Sequence, residues 1–392
     1  MYVARVSLRG VLVLGLALLW APAARAAHTT VYPGDSIQAA VDAASPGDTI
    51  KVMPGDYMET HGNSAAVRVT KPLKLIARSK PLGAFPDAIV RIIPGPGNTS
   101  GIVVEPANPG DPDIDGLKIK GFTVEGFHNN GIWLKHVRNF KIQNNTTIDN
   151  LENGIWPTLS ANGLVKKNVS YGSEDSALWI EASENVRAIK NELYNSPTGF
   201  EITVSKNITA KRNDIHDNST GMGLYHPSAA GLPPLGGDGD WDVISNHVYD
   251  NNFPNNAPGG SMSAGLPQGG GVLVLGADRV HLLKNQIENN DFYGISVIDY
   301  CVAVDGTDFD CDSNPPEVEP APDDNTFVAN TLVNNGTNPN AEMNPDFDLF
   351  ALFAADITYL VTGGGHVNCF ANNTYATLSA PADQPVLANS CN

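Results

Sequence analysis

Basic side chains are scarce in this 392-residue chain: 24 Lys and Arg stand against 42 Asp and Glu, a formal net charge of −18. A surface of that sign repels phosphate backbones, which argues against nucleic-acid binding. An anionic polysaccharide meets the same repulsion unless a basic patch or a bound cation reverses the sign locally. Cysteines number only four and include no CxxC pair, which argues against a thiolate metal site. The nine histidines contain no HExxH pair, and neither a Walker-type loop nor a GxSxG elbow is present. Zinc-protease, nucleotide and serine-hydrolase chemistry therefore lack their usual carriers. No apolar run after residue 26 is long enough for a membrane helix. With 42% hydrophobic residues, the chain still has the means to build a substantial core.

The first residues read as a secretory leader. Arg5 and Arg9 precede an apolar stretch at residues 11–20, and Ala24-Arg25-Ala26 offers a small-x-small cleavage site. Residues 1–26 are therefore expected to be removed on export to a periplasmic or extracellular space. The cysteines agree with an oxidising compartment. Four allow three pairings, and spacing favours the local ones, Cys301–Cys311 and Cys369–Cys391.

What the chain does have is a repeat. Units such as NGIWLKHVRNFKIQNN, NGIWPTLSANGLVKKN, SALWIEASENVRAIKN and TGFEITVSKNITAKRN are led by Gly131, Gly154, Ala177, Gly199, Gly221, Gly271 and Gly294, at steps of 23, 23, 22, 22, 50 and 23 residues. Each unit opens with period-2 alternation, the mark of a strand. A second short strand ends in Asn168, Asn191, Asn213, Asn246, Asn285 or Asn330, and a third follows. Three short strands per turn predict one rung of a right-handed parallel β-helix, whose core exists only when rungs stack. The recurrent Asn is expected at a corner, where it tolerates left-handed backbone and its amide bonds to adjacent rungs.

Asp35 or Ser36 is placed to cap a short amphipathic helix at 37–44, which would plug the open end of the core. The segment SIQAAVDAASPGDTIKVMPGDYME resembles the opening of the pectin-lyase-like right-handed β-helix superfamily, and the resemblance covers most of residues 30–336. Membership of that superfamily implies an all-β solenoid. It also spans polysaccharide lyases, hydrolases, epimerases and periplasmic β-helix proteins that help mature nitrous oxide reductase, so the fold names no single chemistry. The expected layout is a cap and first strand at 27–60, a β-helix at 61–336 and a C-terminal cap at 337–392 with a degenerate last rung. Insertions are expected at 226–240, 253–270 and 299–323. Residues 346–360 fit either a helix or a strand.

Alternation assigns faces. In the glycine-led strands Ile132, Leu134, Ile155, Leu178, Ile180, Phe200 and Ile202 point inward. One outward column reads Trp133, Trp156, Trp179, Glu201, Gly223, Leu273, Ser296; the next reads Lys135, Thr158, Glu181, Thr203, Tyr225, Leu275, Ile298. Trp133, Trp156 and Trp179 are candidate sugar platforms, their flat faces carrying a polar N–H. Packing beneath a loop is the alternative. The insertions leave from the ends of these same strands and would wall a groove over them. In that groove Glu181 and Glu201 are candidate acid and base for glycoside cleavage. Lys135, Tyr225 and His226 are candidate bases for β-elimination. Asp305, Asp308, Asp310 and Asp312 form an oxygen-rich loop suited to calcium, without the Gly and Glu of an EF-hand. The functional expectation is an exported protein that binds a polysaccharide or oligosaccharide along the Trp-lined face, with processing of the bound chain as the further step of that expectation. The alternative is a non-catalytic periplasmic scaffold or maturation factor.

Overall fold

The computed structural model describes residues 26–79, 89–226, 239–304, 311–312, 315–316, 318–339, 353–362, 368–380 and 391. The leader segment 1–25 and Asp305, Asp308 and Asp310 of the acidic loop lie outside the described residues.

The described chain winds into a right-handed parallel β-helix. Its strands form three sheets of 12, 11 and 10 strands, and successive turns contribute one strand to each. A representative turn runs Ile132–Lys135, Val137–Gln143 and Thr146–Ile148; the next runs Ile155–Thr158, Leu164–Lys166 and Val169–Tyr171. Each strand pairs in parallel with its counterpart one turn on, as in Ile132 opposite Ile155 and Ile142 opposite Val165. Because every rung repeats the same inward positions, the apolar residues stack into one continuous core from Val31 to Phe370. The stretch left open between helix and strand contains a strand, Ala355–Leu360, which extends the 11-stranded sheet.

Two corners are lined with asparagine. Asn145, Asn168, Asn191, Asn213, Asn246, Asn285, Asn330 and Asn373 pass a hydrogen bond from rung to rung, each Nδ2 donating to the next Oδ1 at 2.9–3.1 Å. The same Nδ2 atoms reach backbone carbonyls of the preceding strand, as Asn213 does to Ala188 at 3.1 Å. The left-handed backbone, however, is not at these residues. It belongs to the residue before each: Asn144, Lys167, Lys190, Arg212, Ser245, Lys284, Ala329 and Asn372, with φ from 51° to 58°. Asn is needed here for its amide, which satisfies buried backbone groups, while its outward-facing neighbour makes the bend. A second ladder, Asn218–Asn251–Asn290–Asn335, ends on Asp356.

The N-terminal end is closed by the helix Ile37–Ala43, capped by the Ser36 hydroxyl. Ile37 and Val41 seal the core. Gln38 mimics a neighbouring strand: its Oε1 accepts from Arg68 N at 2.6 Å and its Nε2 donates to Arg68 O at 3.2 Å, covering an otherwise open sheet edge.

Candidate functional site

The outward face of the 11-stranded sheet carries the two columns read from the sequence, in the expected register. Trp133 lies opposite Trp156, then Trp179 opposite Glu201, Gly223, Leu273 and Ser296 in turn. In the next column Lys135 lies opposite Thr158, followed by Glu181, Thr203, Tyr225, Leu275 and Ile298.

The three tryptophans form a stack. Ring centroids are 5.2 Å apart for Trp133–Trp156 and 5.1 Å for Trp156–Trp179, with interplanar angles of 11° and 5°. An indole is too wide for coplanar neighbours at that spacing, so the faces cover one another. This corrects the picture of three open sugar platforms: the half-buried rings present a stripe of edges to solvent, and only the end faces escape stacking. Two of the three N–H groups are spent downstream. Trp156 Nε1 donates to Glu181 Oε2 at 3.1 Å and Trp179 Nε1 to Thr203 Oγ1 at 2.7 Å, whereas Trp133 Nε1 is buried without a partner. Lys135 Nζ sits 6.0 Å from the Trp133 ring centre.

Carboxyls gather where the stack ends. Glu181 is 4% exposed and also accepts from the Thr158 hydroxyl at 2.8 Å. Burial pushes its pKa up; Thr158, Trp156 and, more weakly, Lys135 pull it back, while Asp175 adds to the rise. Glu201 is 6% exposed and accepts from Ser176 Oγ at 2.6 Å. Burial, reinforced by Asp175 and Glu181, lifts it well above the usual carboxylate range, so the protonated acid is favoured. Asp175 was not anticipated. It sits at the corner just before Ser176–Glu181, keeps an accessible edge, and is raised by burial and by Glu152, against hydrogen bonds from Ser263 and Asn153. A signal was available: Glu152 and Asp175 occupy equivalent corners of successive rungs, each just before a Trp-bearing strand. The arrangement is three carboxyls that destabilise one another's ionised forms, a setting in which a proton is readily held and passed.

Beyond Glu201 the face is covered. Leu273, Leu275, Ile298 and Leu360 join Leu266, Tyr225, Tyr293, Tyr300 and Val304 in a second apolar cluster outside the solenoid. The expectation that Tyr225 and His226 line an open groove is therefore corrected. Tyr225 is fully buried, folded back over Gly223, and burial drives its pKa well above the phenol range. His226 is fully buried, stacked on Tyr300 at 4.9 Å with Nε2 3.1 Å from Glu319 O, and burial lowers its pKa to about 4. The segment 253–270 lies beside them. Its single helical turn, Met262–Gly265, is tied to the sheet by a hydrogen bond from Ser263 Oγ to Asp175 Oδ1.

Cys301 pairs with Cys311 and Cys369 with Cys391, as spacing suggested, with Cα–Cα distances of 5.5 and 5.2 Å. The first joins the helix Tyr300–Val304 to the end of the acidic segment. Asp312 is the one proposed calcium ligand among the described residues, and no cluster of three or more His, Cys, Asp or Glu able to hold a metal occurs among them. None of the described helices is long and apolar enough to cross a membrane.

Residues 100–232 match the family model described as a right-handed β-helix region. No curated protein matches the sequence. Among solved structures, the chain is similar to the A-module of the mannuronan C-5 epimerase AlgE4 of Azotobacter vinelandii, with a TM-score of 0.58 and 13% identity over 90% of this chain and 95% of that one. It is also similar to the catalytic unit of a GH87 α-1,3-glucanase of Streptomyces thermodiastaticus, with a TM-score of 0.51 and 17% identity over 93% and 71%. DFA-IIIase of Arthrobacter chlorophenolicus follows at 0.50 and 17% over 90% of each chain. At these identities the likeness establishes the fold: the chain is a right-handed parallel β-helix protein.

Proposed function

We propose that this protein binds a carbohydrate chain along the Trp133–Trp156–Trp179 stripe and transfers a proton on it with the carboxyls at the end of the stripe. The observation that carries the reading is the convergence of Asp175, Glu181 and Glu201, all with raised pKa, at the point where the exposed stripe meets the covering segment. Glu201, favoured in its protonated form, is the acid. Asp175, with its accessible edge, is the group through which a proton exchanges with solvent or substrate. Lys135 faces Glu181 as the cation of the strip. The three similar structures carry names of carbohydrate-acting proteins, which supports the substrate class. The two disulfides support export.

One observation favours a non-catalytic carbohydrate-binding scaffold instead. Both Trp156 and Thr158 donate to the same Glu181 oxygen, so that carboxyl is already engaged in holding the stack. A single experiment separates the two: a reducing-sugar and viscosity screen over a polysaccharide panel, alongside tryptophan-fluorescence titrations, on the wild type, Glu201→Gln and Asp175→Asn. Turnover lost with binding retained supports the enzyme. Binding without turnover in the wild type supports the scaffold, and absence of both removes the reading.

A further inference from the structure

Beneath the segment 253–270 the satellite cluster is apolar except for a group of hydroxyls. Ser176, Thr198 and Thr220 lie opposite one another on three successive rungs. Tyr225 folds back over Gly223 towards Thr198, and Tyr293 folds back over Gly270 towards Thr220. Thr198, Tyr225 and Tyr293 are at most 2% exposed; the Tyr225 hydroxyl leans on Thr198 and that of Tyr293 on Thr220, but in neither pair is the hydrogen bond well aligned, and the Ser219 hydroxyl and the Gln268 side-chain oxygen nearby in the chain have no partner. Buried polar groups are normally paired, and leaving several unpaired in one place is costly unless something else completes them.

The cover is lightly held. Within 253–270 only Ser263, Leu266, Gly269 and Gly270 are buried; residues 254, 256, 258–260 and 265 are exposed. Up to residue 267 its attachments are Ser263 to Asp175, Thr220 Oγ1 to Pro267 O at 3.1 Å, and Phe253 N to Asn218 O at 3.0 Å; Gln268 bonds to Asn252 O, and Gly269 and Gly270 are anchored to the solenoid through Ser219 O, Phe292 N and Tyr293 N. A segment with so few buried contacts opens far more cheaply than the solenoid.

We propose that 253–270 is a lid over a sugar-binding floor formed by Thr198, Tyr225, Tyr293 and Glu201, which receives the terminal, uncharged residue of the chain lying along the Trp stripe. This rests on the carbohydrate reading above and narrows it. A terminal residue follows from geometry: the stripe is open along the three tryptophans and blocked beyond Glu201 by the satellite cluster, so a chain entering there has no exit. An uncharged residue follows from electrostatics. Asp175, Glu181 and Glu201 face the site, Lys135 is the cation beside them, and Arg68, at the far end of the column, is paired with Glu105 at 2.9 Å. Sugar hydroxyls, each both donor and acceptor, are the groups that would complete phenol and threonine hydroxyls.

The test combines Tyr225→Phe and Tyr293→Phe in the full chain and measures both melting temperature and affinity for α-1,3-glucan and mannuronan oligosaccharides by fluorescence titration. The expected result is a melting temperature unchanged or nearly so, because each substitution removes a poorly aligned hydroxyl contact. Affinity for the neutral glucan should fall tenfold or more, and mannuronan should bind the wild type more weakly than the glucan. Ser263→Ala should raise hydrogen exchange within 253–270 alone. A lowered melting temperature with unchanged affinity would show that the hydroxyls serve packing, and the lid floor would be rejected while the carbohydrate reading stood. Equal or tighter binding of mannuronan would overturn the uncharged-residue assignment. No binding of either sugar by the wild type would remove the carbohydrate reading, and this inference with it.

Discussion

Gly223 leaves open the space that Tyr225 occupies: a Cβ at position 223 would lie 2.1 Å from both Cζ and the hydroxyl oxygen of Tyr225. The outward column changes at this point from Trp and Glu to a residue with no side chain, and the next column's tyrosine bends across the gap towards Glu201. Gly223→Ala should therefore expel the Tyr225 ring from its buried position. Overpacking of this kind costs about 1–3 kcal/mol. Urea denaturation should register that loss. A stability equal to wild type would mean the ring has another place to go.

Glu201 gives a pH signature with a definite sign. Its folded-state pKa is raised, so between the unfolded value near 4.5 and the raised value the folded state binds more protons than the unfolded one. Its contribution to stability is fully present below about pH 4.5 and is lost as pH rises through the folded value. Glu181 and Asp175 act in the same direction. Glu201→Gln should then melt higher than wild type at neutral pH, by a few degrees or less, with the difference shrinking on acidification. A variant that melts lower at neutral pH would indicate that the ionised carboxylate is stabilised by contacts other than Ser176.

The rung register, both outward columns and the disulfide pairs were legible in the sequence because they depend on period and spacing alone. Burial was not. Whether Glu201 and Tyr225 see solvent depends on the path of segment 253–270, which has no repeat to constrain it. The hint lay in the columns themselves: outward Leu273, Leu275 and Ile298 only make sense beneath a cover. The corner chemistry was half legible. Recurrent Asn marked the corners correctly, yet the left-handed residue is its predecessor, and Lys167, Lys190, Arg212 and Lys284 carry no propensity that would reveal it. The stacked orientation of the tryptophans was also hidden, since alternation gives the side of the sheet and not the tilt of the ring.

Asn213 tests the ladder. Its Oδ1 accepts from Asn191 N and Nδ2, both at 3.0 Å, and its Nδ2 donates to Asn246 Oδ1 at 2.9 Å and Ala188 O at 3.1 Å. Asn213→Ala leaves those groups buried and short of partners. At about 1–3 kcal/mol for each buried group left unsatisfied, a total loss above about 3 kcal/mol is expected. Asn213→Leu should be no better, since the stranded groups are the problem and not the lost volume. Near-normal stability in either variant would mean that water enters the corner and replaces the amide.

The tryptophan stack makes a prediction about ligand length. Trp133 stands at the open end of the stripe, Trp156 is stacked on both sides and tied to Glu181, and Trp179 adjoins Glu201. Trp156→Ala removes two stacking contacts and one hydrogen bond to a carboxylate. In a half-buried position that should cost about 2 kcal/mol of stability or more, so weaker binding by this variant would mix two effects. The end positions are cleaner. A chain whose terminal residue sits next to Glu201 contacts Trp179 at every length and reaches Trp133 only when long. Trp179→Ala should therefore weaken short and long α-1,3-glucan oligosaccharides alike, whereas Trp133→Ala should weaken long ones and leave short ones unchanged. Fluorescence or calorimetric titration across a length series reads the difference directly. If Trp133→Ala instead weakens the shortest oligosaccharides most, the chain runs in the opposite sense and its terminal residue lies away from the carboxyls. If neither end variant changes affinity at any length, the stack serves the sheet alone, its edges bind nothing, and the carboxyl cluster has no stripe to feed it.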